Sequence, residues 1–175
     1  MKYDVAVIGC GIVGAAAAYE LSRYNCKVLV LEAKNDVANC TTKANSAILH
    51  AGYDPAPGTL MAETNVRGVA LAKELCEKLD VEREEIGSLV LAFGEEDERH
   101  LEKLYRQGLA NGVPELELLT ADEVHALEPN LSDKVTAALY APTAAIVSPW
   151  EFALALAETA VVNDCDLRLS APVTG

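Results

Sequence analysis

The sequence predicts an α/β fold, a parallel sheet that opens with a strand–helix–strand unit, is interrupted by a mixed α+β segment and is rejoined near residue 148. Three observations carry that prediction. Asp4-Val-Ala-Val-Ile8 and Lys27-Val-Leu-Val-Leu31 are short apolar runs rich in β-branched residues, as strands buried on both faces are. Between them, Ile12 to Tyr24 is rich in alanine, opens on closely spaced glycines and reads as a helix. Strand, helix and strand within about thirty residues form a crossover that is almost always right-handed and joins parallel strands.

In chain order, the first helix is expected to stop near Asn25, a residue tolerated in the left-handed capping position. A polar loop follows from Ala33 to Ser46. From Gly58 to Leu79 the apolar positions Val66, Val69, Ala70, Ala72, Cys76 and Leu79 recur at helical spacing. Gly87 to Phe93 reads as a strand, and Glu95 to Gly112 as a charged, solvent-facing helix ended by glycine. Thr120-Ala-Asp-Glu123 is a capping box for a short helix reaching Pro129, and Val135 to Tyr140 is a strand. Ser148-Pro-Trp-Glu151 is a second capping box, with proline at the first helical position, for a helix to about Val162; Asp166 to Ser170 is the returning strand. The domain expectation is therefore a first part of a nucleotide-binding domain at residues 1–79, a partial second domain at 80–147 and a return to the first at 148–175.

Composition removes several functional classes. The chain has 175 residues, 51% of them hydrophobic, which suits a folded core and not a disordered or low-complexity chain. Its 14 Lys+Arg against 27 Asp+Glu give a net charge of −13 with no basic patch, so nucleic acid and anionic membrane are not expected partners. The five cysteines, at positions 10, 26, 40, 76 and 165, have no metal-ligand spacing and read as reduced thiols, hence no metal site and a cytoplasmic location. The uncharged stretch Val5 to Tyr19 is too short to span a membrane, and Asp4 precedes it where a signal peptide would carry basic charge.

Gly9-Cys-Gly11-Ile-Val-Gly14 fits G-x-G-x-x-G in the context that gives the pattern meaning, after a strand and opening a helix. Gly9 permits the tight turn, Gly11 lets backbone approach a pyrophosphate, and Gly14 lets helix and strand pack closely. Glu32 ends the second strand, where a carboxylate can accept hydrogen bonds from adenosine ribose hydroxyls and would repel a 2′-phosphate. These residues predict a Rossmann-like dinucleotide site and leave FAD and NAD both open. Thr41-Thr-Lys-Ala-Asn-Ser46 adds hydroxyls, an amide and a cation that can bind phosphate oxygens.

Further segments complete the pattern: Thr41 to Asp54 as T-T-K-A-N-S-A-I-L-H-A-G-Y-D, N-V-R-G at Asn65 to Gly68, I-G-S-L-V at Ile86 to Val90, and Y-A-P-T-A-A-I-V-S-P at Tyr140 to Pro149. With these, the chain from Tyr3 to Gly175 resembles the FAD-dependent oxidoreductases of the D-amino-acid-oxidase type, and most closely the branch of glycerol-3-phosphate dehydrogenases and L-2-hydroxyglutarate oxidases. Two positions depart from the family's pattern: Asn25 and Ala145 stand where glycine is usual. The resemblance implies an FAD-binding βαβ domain interrupted by the start of a substrate domain. It implies Gly9, Gly11, Ile12, Val13 and Gly14 at the pyrophosphate of FAD, Glu32 at the adenosine ribose, Thr41, Thr42, Lys43, Asn45 and Ser46 on the pyrophosphate and ribityl side, and the backbone of Val173 at the adenine. It implies His50 near the flavin ring, where an imidazole can serve as the base for a hydroxyl proton or simply shape the pocket.

The reaction implied is oxidation of a small anionic hydroxy compound, glycerol 3-phosphate or a 2-hydroxy acid, with oxygen, a quinone or a carrier protein as electron acceptor. Relatives of this type are considerably longer. The expectation is an N-terminal portion that is inactive alone and self-associates through its unfinished sheet. A NAD-dependent dehydrogenase and a non-catalytic adenosine-nucleotide module are the competing readings.

Overall fold

The computed structural model describes residues 2–175 and contains nine strands, five α-helices and one short 3₁₀ turn among them. The chain forms two compact units: Met1–Ala47, Cys76–Glu82 and Val147–Gly175 make the first, and Ile48–Leu75 with Arg83–Ile146 the second.

The first unit holds β1 (Val5–Ile8), α1 (Ile12–Leu21) and β2 (Val28–Leu31), the expected strand–helix–strand crossover. It also holds α5 (Pro149–Val162) and β9 (Asp166–Arg168). β1 and β2 run parallel with Val5 opposite Val28 and Ile8 opposite Leu31, and β9 joins β2 in parallel with Leu29 opposite Asp166. The sheet order β1-β2-β9 places the returning strand beside β2. Helices α1 and α5 pack on each other, and their buried faces are mainly alanine: Ala15 and Ala18 on one, Ala153, Ala157 and Ala160 on the other. Small side chains let the two backbones come close, and Phe152 and Leu156 supply the bulk of the apolar burial beside them.

Two expectations for this unit need correction. β1 is not buried on both faces. Ala6 is exposed and Ile8 is 69% exposed, because β1 is an edge strand of the described sheet. The first helix stops at Leu21, not near Asn25, and Asn25 does not adopt the left-handed conformation. Ser22 ends the helix instead: its N–H donates to the Ala18 carbonyl and its hydroxyl to the Tyr19 carbonyl at 2.7 Å. A serine that bonds the preceding turn offers the backbone an alternative to further helix.

The second unit is built on an antiparallel sheet of β5 (Ser88–Ala92), β6 (Glu117–Thr120) and β7 (Ala137–Ala141) in the order β5-β7-β6. Ser88 pairs with Ala141 and Glu117 with Tyr140. Alternation along the central strand divides the core. Leu139 and Ala141 pack into a cluster with Leu101, Leu104, Val113 and Leu116, which includes one face of α3 (Glu95–Asn111). Ala138 turns to the opposite side, with Leu119, Val124 and Val135 near α4 (Ala121–Leu127). Helix α3 is thus half-buried, not a purely solvent-facing helix; Gly112 ends it in the left-handed conformation, as the sequence predicts. A small sheet of β3 (Ile48–Leu49), β8 (Ala145–Val147) and β4 (Arg83–Glu84) was not legible in the sequence. Helix α2 (Leu60–Leu79) continues from the second unit into the first at Cys76.

Both capping sequences do cap helices. At α4, the N–H and the hydroxyl of Thr120 donate to the Glu123 carboxylate at 2.8 and 2.7 Å. At α5 only half of the box forms, with the Ser148 hydroxyl accepting from the Glu151 N–H at 3.3 Å. The two Thr120 bonds hold the Glu123 carboxyl below the usual carboxylate range, so its contribution to stability exists above the unfolded pKa of about 4.3 and is lost as pH falls through the lower folded value. Glu123→Gln is therefore expected to be less stable than the parent at pH 7 and indistinguishable from it in strong acid. Urea unfolding at both pH values checks this; a difference independent of pH would show that the charge is not what Thr120 holds.

Candidate cofactor site

The glycine-rich turn joins the end of β1 to the start of α1. Gly9 has φ +93°, a left-handed conformation that favours glycine, and its N–H is tied to the Leu31 carbonyl at 2.8 Å. Gly14 lies on the first turn of α1 where a Cβ would fall 1.9 Å from the Gly9 carbonyl oxygen, so no other residue fits. Gly11 is the N-cap and offers no side-chain oxygen to the helix; a Cβ there would stand 3.0 Å from Thr42 Oγ1. The first turn of α1 carries no acidic side chain, so nothing on it opposes an anion at the positive end of the helix.

Two side chains from beyond β2 complete the turn. Thr42 Oγ1 accepts the Ile12 N–H at 3.0 Å and so supplies the cap that Gly11 cannot. Glu32 is 8% exposed; its Oε2 accepts the Cys10 N–H at 2.7 Å and its Oε1 the Lys34 N–H at 2.8 Å. Each oxygen keeps a further lone pair, so the carboxylate that braces the turn can also accept ribose hydroxyls. Burial and the nearby Glu32 charge push the Cys10 thiol up to about 11, which leaves it protonated and unsuited to ligate or react.

The loop from Lys34 to Ala47 is more structured than a polar connection. Val37 and Ala38 are buried, and the Ala38 N–H, with Ala38 at φ +56°, donates to the Cys10 carbonyl at 2.9 Å. No sequence signal singled them out, because two apolar residues within a polar stretch have no periodicity. Thr41–Lys43 form the 3₁₀ turn. Asn45 spends its amide inside the loop: Nδ2 donates to the Thr42 carbonyl at 2.6 Å and Oδ1 accepts the Ala47 N–H at 2.7 Å. Lys43 bonds Asn39, and Ser46 is exposed. The N–H groups of Ser170 and Ala171 donate to the carbonyls of Lys34 and Glu32, so the chain carrying exposed Val173 leaves β9 beside the Glu32 backbone. Within the first unit the glycine turn, Glu32 and Thr42 are thus joined by direct bonds, while Lys43, Ser46 and Val173 have no direct bond to them.

His50 belongs to the second unit, is exposed and lies just after β3. Its carbonyl accepts from Asn65 Nδ2, which assigns a local role to the N-V-R-G segment on α2. The following residues are fastened to α3: Asn111 Nδ2 donates to the carbonyls of Gly52 and Pro55 at 2.9 and 2.8 Å, and Gln107 to that of Tyr53 at 3.2 Å. Asn111 and Gln107 read in the sequence only as polar residues of a charged helix, and the structure alone shows what they hold. His100 is exposed and His125 half-buried.

A glycine turn braced by a buried carboxylate at the end of the neighbouring parallel strand, opening a helix whose first turn carries no acidic side chain, defines a dinucleotide-binding α/β protein. Residues 4–175 match the FAD-dependent oxidoreductase family, and the chain belongs to it. It is 52% identical over 168 residues to a glycerol 3-phosphate dehydrogenase of Caloramator mitchellensis, a match that covers 96% of this chain and 35% of that protein. It is 34% identical over 148 residues to a mitochondrial L-2-hydroxyglutarate dehydrogenase of Dictyostelium discoideum, covering 83% of this chain and 33% of the relative. Among solved structures, the dithionite-reduced L-α-glycerophosphate oxidase of Mycoplasma pneumoniae with FAD bound superposes with a TM-score of 0.89 at 31% identity, over 97% of this chain and 45% of that one. The family read from the motifs, its FAD dependence and the mixed α/β fold are borne out. The chain spans between about a third and a half of the length of the relatives it matches. No described helix is long and apolar enough to cross a membrane.

Proposed function

We propose that this chain is the FAD-binding portion of a dehydrogenase or oxidase that oxidises a small anionic hydroxy compound, glycerol 3-phosphate or a 2-hydroxy acid. The observation that carries the reading is the bonded set of Gly9–Gly14, Glu32 and Thr42, together with 52% identity to a glycerol 3-phosphate dehydrogenase. In this reading the backbone at Gly11, Ile12 and Val13 meets the pyrophosphate, Glu32 accepts the adenosine ribose hydroxyls, and Thr41, Thr42, Lys43, Asn45 and Ser46 line the other side. Ala47, at φ +64°, directs the loop onward after Asn45 fixes its N–H. The backbone at Val173 meets the adenine. Bound FAD supplies the acceptor for a hydride from the substrate's carbinol carbon. The protein's share is to position the cofactor and, at the His50 imidazole, to take the hydroxyl proton.

Flavin retention tests the cofactor assignment. Trp150, the only tryptophan of the chain, lines a surface cleft with Asn39 and Lys43 and serves as a fluorescence reporter. Added FAD is expected to quench Trp150 and to survive desalting, with ADP displacing it only at excess. Quenching by NADH and none by FAD would favour a nicotinamide enzyme. Equal binding of ADP and FAD, with no turnover, would favour a nucleotide module. In a flavin-reducing preparation, His50→Gln is expected to lower kcat by about 10²-fold or more with KM little changed. Unchanged kcat would reduce His50 to a residue that shapes the pocket.

A further inference from the structure

From His50 to Pro55 the chain has left β3 and has no regular structure, so its carbonyl oxygens need partners from elsewhere. Side-chain amides supply them, all within the second unit. Asn65 Nδ2 on α2 donates to the His50 carbonyl. On α3, Gln107 Nε2 donates to the carbonyls of Tyr53, at 3.2 Å, and Asp54, and Asn111 Nδ2 to those of Gly52 and Pro55, at 2.9 and 2.8 Å. Five of the six carbonyls in the segment thus end on three amides from two helices. An amide NH₂ carries two donors, and Gln107 and Asn111 each hold two carbonyls with theirs.

Close approach makes these bonds reachable. A Cβ at Gly108 would stand 2.9 Å from Tyr53 Cβ and 3.3 Å from its Cα, and one at Gly52, where φ is +106°, would stand 2.7 Å from Val66 Cγ2 on α2. Gly108 lies between Gln107 and Asn111 on α3, so the missing side chain lets both amides come down on the loop. Ala51 is buried in the apolar cluster of this unit and Tyr53 packs against it. On the other side of His50, Leu49 pairs with Ala145 of β8. His50 therefore stands between a paired strand and a loop held from two helices, and is itself exposed.

We infer that Asn65, Gln107 and Asn111 are positioning residues: by holding the backbone from His50 to Pro55 they fix where the imidazole meets the substrate hydroxyl. The inference rests on His50 as the base proposed above. Misplacing a catalytic group by about 1 Å costs on the order of 10²-fold in rate, so a hold on this backbone bears on kcat and not on substrate affinity. Amides suit the task because they stay uncharged wherever the imidazole titrates. They hold the loop without adding a charge that would move the proton affinity of the base.

Asn65→Leu tests this, because leucine is similar in size to asparagine, favours helix more and donates no hydrogen bond. In the flavin-reducing preparation it is expected to lower kcat about ten-fold with KM little changed, and to cause no further loss when combined with His50→Gln, since no imidazole is then left to position. A second readout needs no flavin. NMR relaxation of the backbone amides in the 175-residue chain is expected to give order parameters of about 0.85 at Ala51 and Gly52, falling toward about 0.6 in Asn65→Leu. Gln107→Ala, on the other helix, should loosen Tyr53 and Asp54 in the same way, and so keeps the test decisive if Asn65→Leu does not fold. Unchanged kcat in Asn65→Leu beside a lowered kcat in His50→Gln would overturn the positioning role and leave the base standing. Losses that multiply in the double variant, or order parameters equal to the parent's, would also overturn it. Unchanged kcat in His50→Gln would remove the base itself, and the positioning role with it.

Discussion

Gly14→Ala is expected to abolish flavin binding and to destabilise the chain by about 3 kcal/mol or more, the upper range for forced overpacking. The added methyl would lie 1.9 Å from the Gly9 carbonyl oxygen and 3.4 Å from Val7 Cγ1. Neither neighbour is a flexible side-chain end: the first is backbone of a turn already bonded to β2, the second the side chain of a residue in β1. Relief would require α1 to move off the sheet, which its packing against α5 resists. Gly68→Ala is the internal control. It lies within α2 with open space around its Cα, so alanine should leave stability equal or raise it by about 0.5–1 kcal/mol through helix propensity. Urea midpoints and retained flavin absorbance read both variants, and a Gly14→Ala chain that keeps its flavin would contradict the close approach.

Glu32→Ala has the second-largest expected effect, about 2–4 kcal/mol of stability together with loss of FAD affinity. The side chain links the turn after β1 to the loop after β2, and its removal strands the Cys10 N–H, which is buried, and the Lys34 N–H, which is partly so. Each unsatisfied buried donor costs about 1–3 kcal/mol. Glu32→Gln separates the two roles. Its one carbonyl oxygen still accepts from one backbone N–H, while its NH₂ faces the other donor, so the fold should be weakened by less than in Glu32→Ala but ribose recognition impaired. Equal urea midpoints for the parent and Glu32→Ala would remove the bracing role; undiminished FAD affinity in Glu32→Gln would remove the ribose role.

Much of this was legible in the sequence because its signals are local. A glycine pattern between a β-branched run and an alanine-rich run states the turn, the helix start and the strand pairing at once. Thr120 with Glu123, and Ser148 followed by Pro149, mark helix starts three residues at a time. Other features depended on partners distant in the chain. Ile8 has the residue type of a buried strand, and its exposure follows from which strands pair with β1. Val37 and Ala38 are buried because the glycine turn lies against them, and Asn111 matters because Gly52 and Pro55 present it with carbonyls.

The sequence by itself determined the class of fold and the family, and marked the glycine turn and the strand-end carboxylate proposed to meet a dinucleotide, since backbone conformation at glycine and charge at a strand end are properties of single residues and short spacings. Only the tertiary structure decided that Glu32 braces the turn with both oxygens, that Thr42 caps α1 across thirty residues, and that Asn65, Gln107 and Asn111 converge on the backbone between His50 and Pro55. Hydrogen bonds and desolvation depend on which groups the closed chain brings within about 3 Å, and no periodicity records that distance.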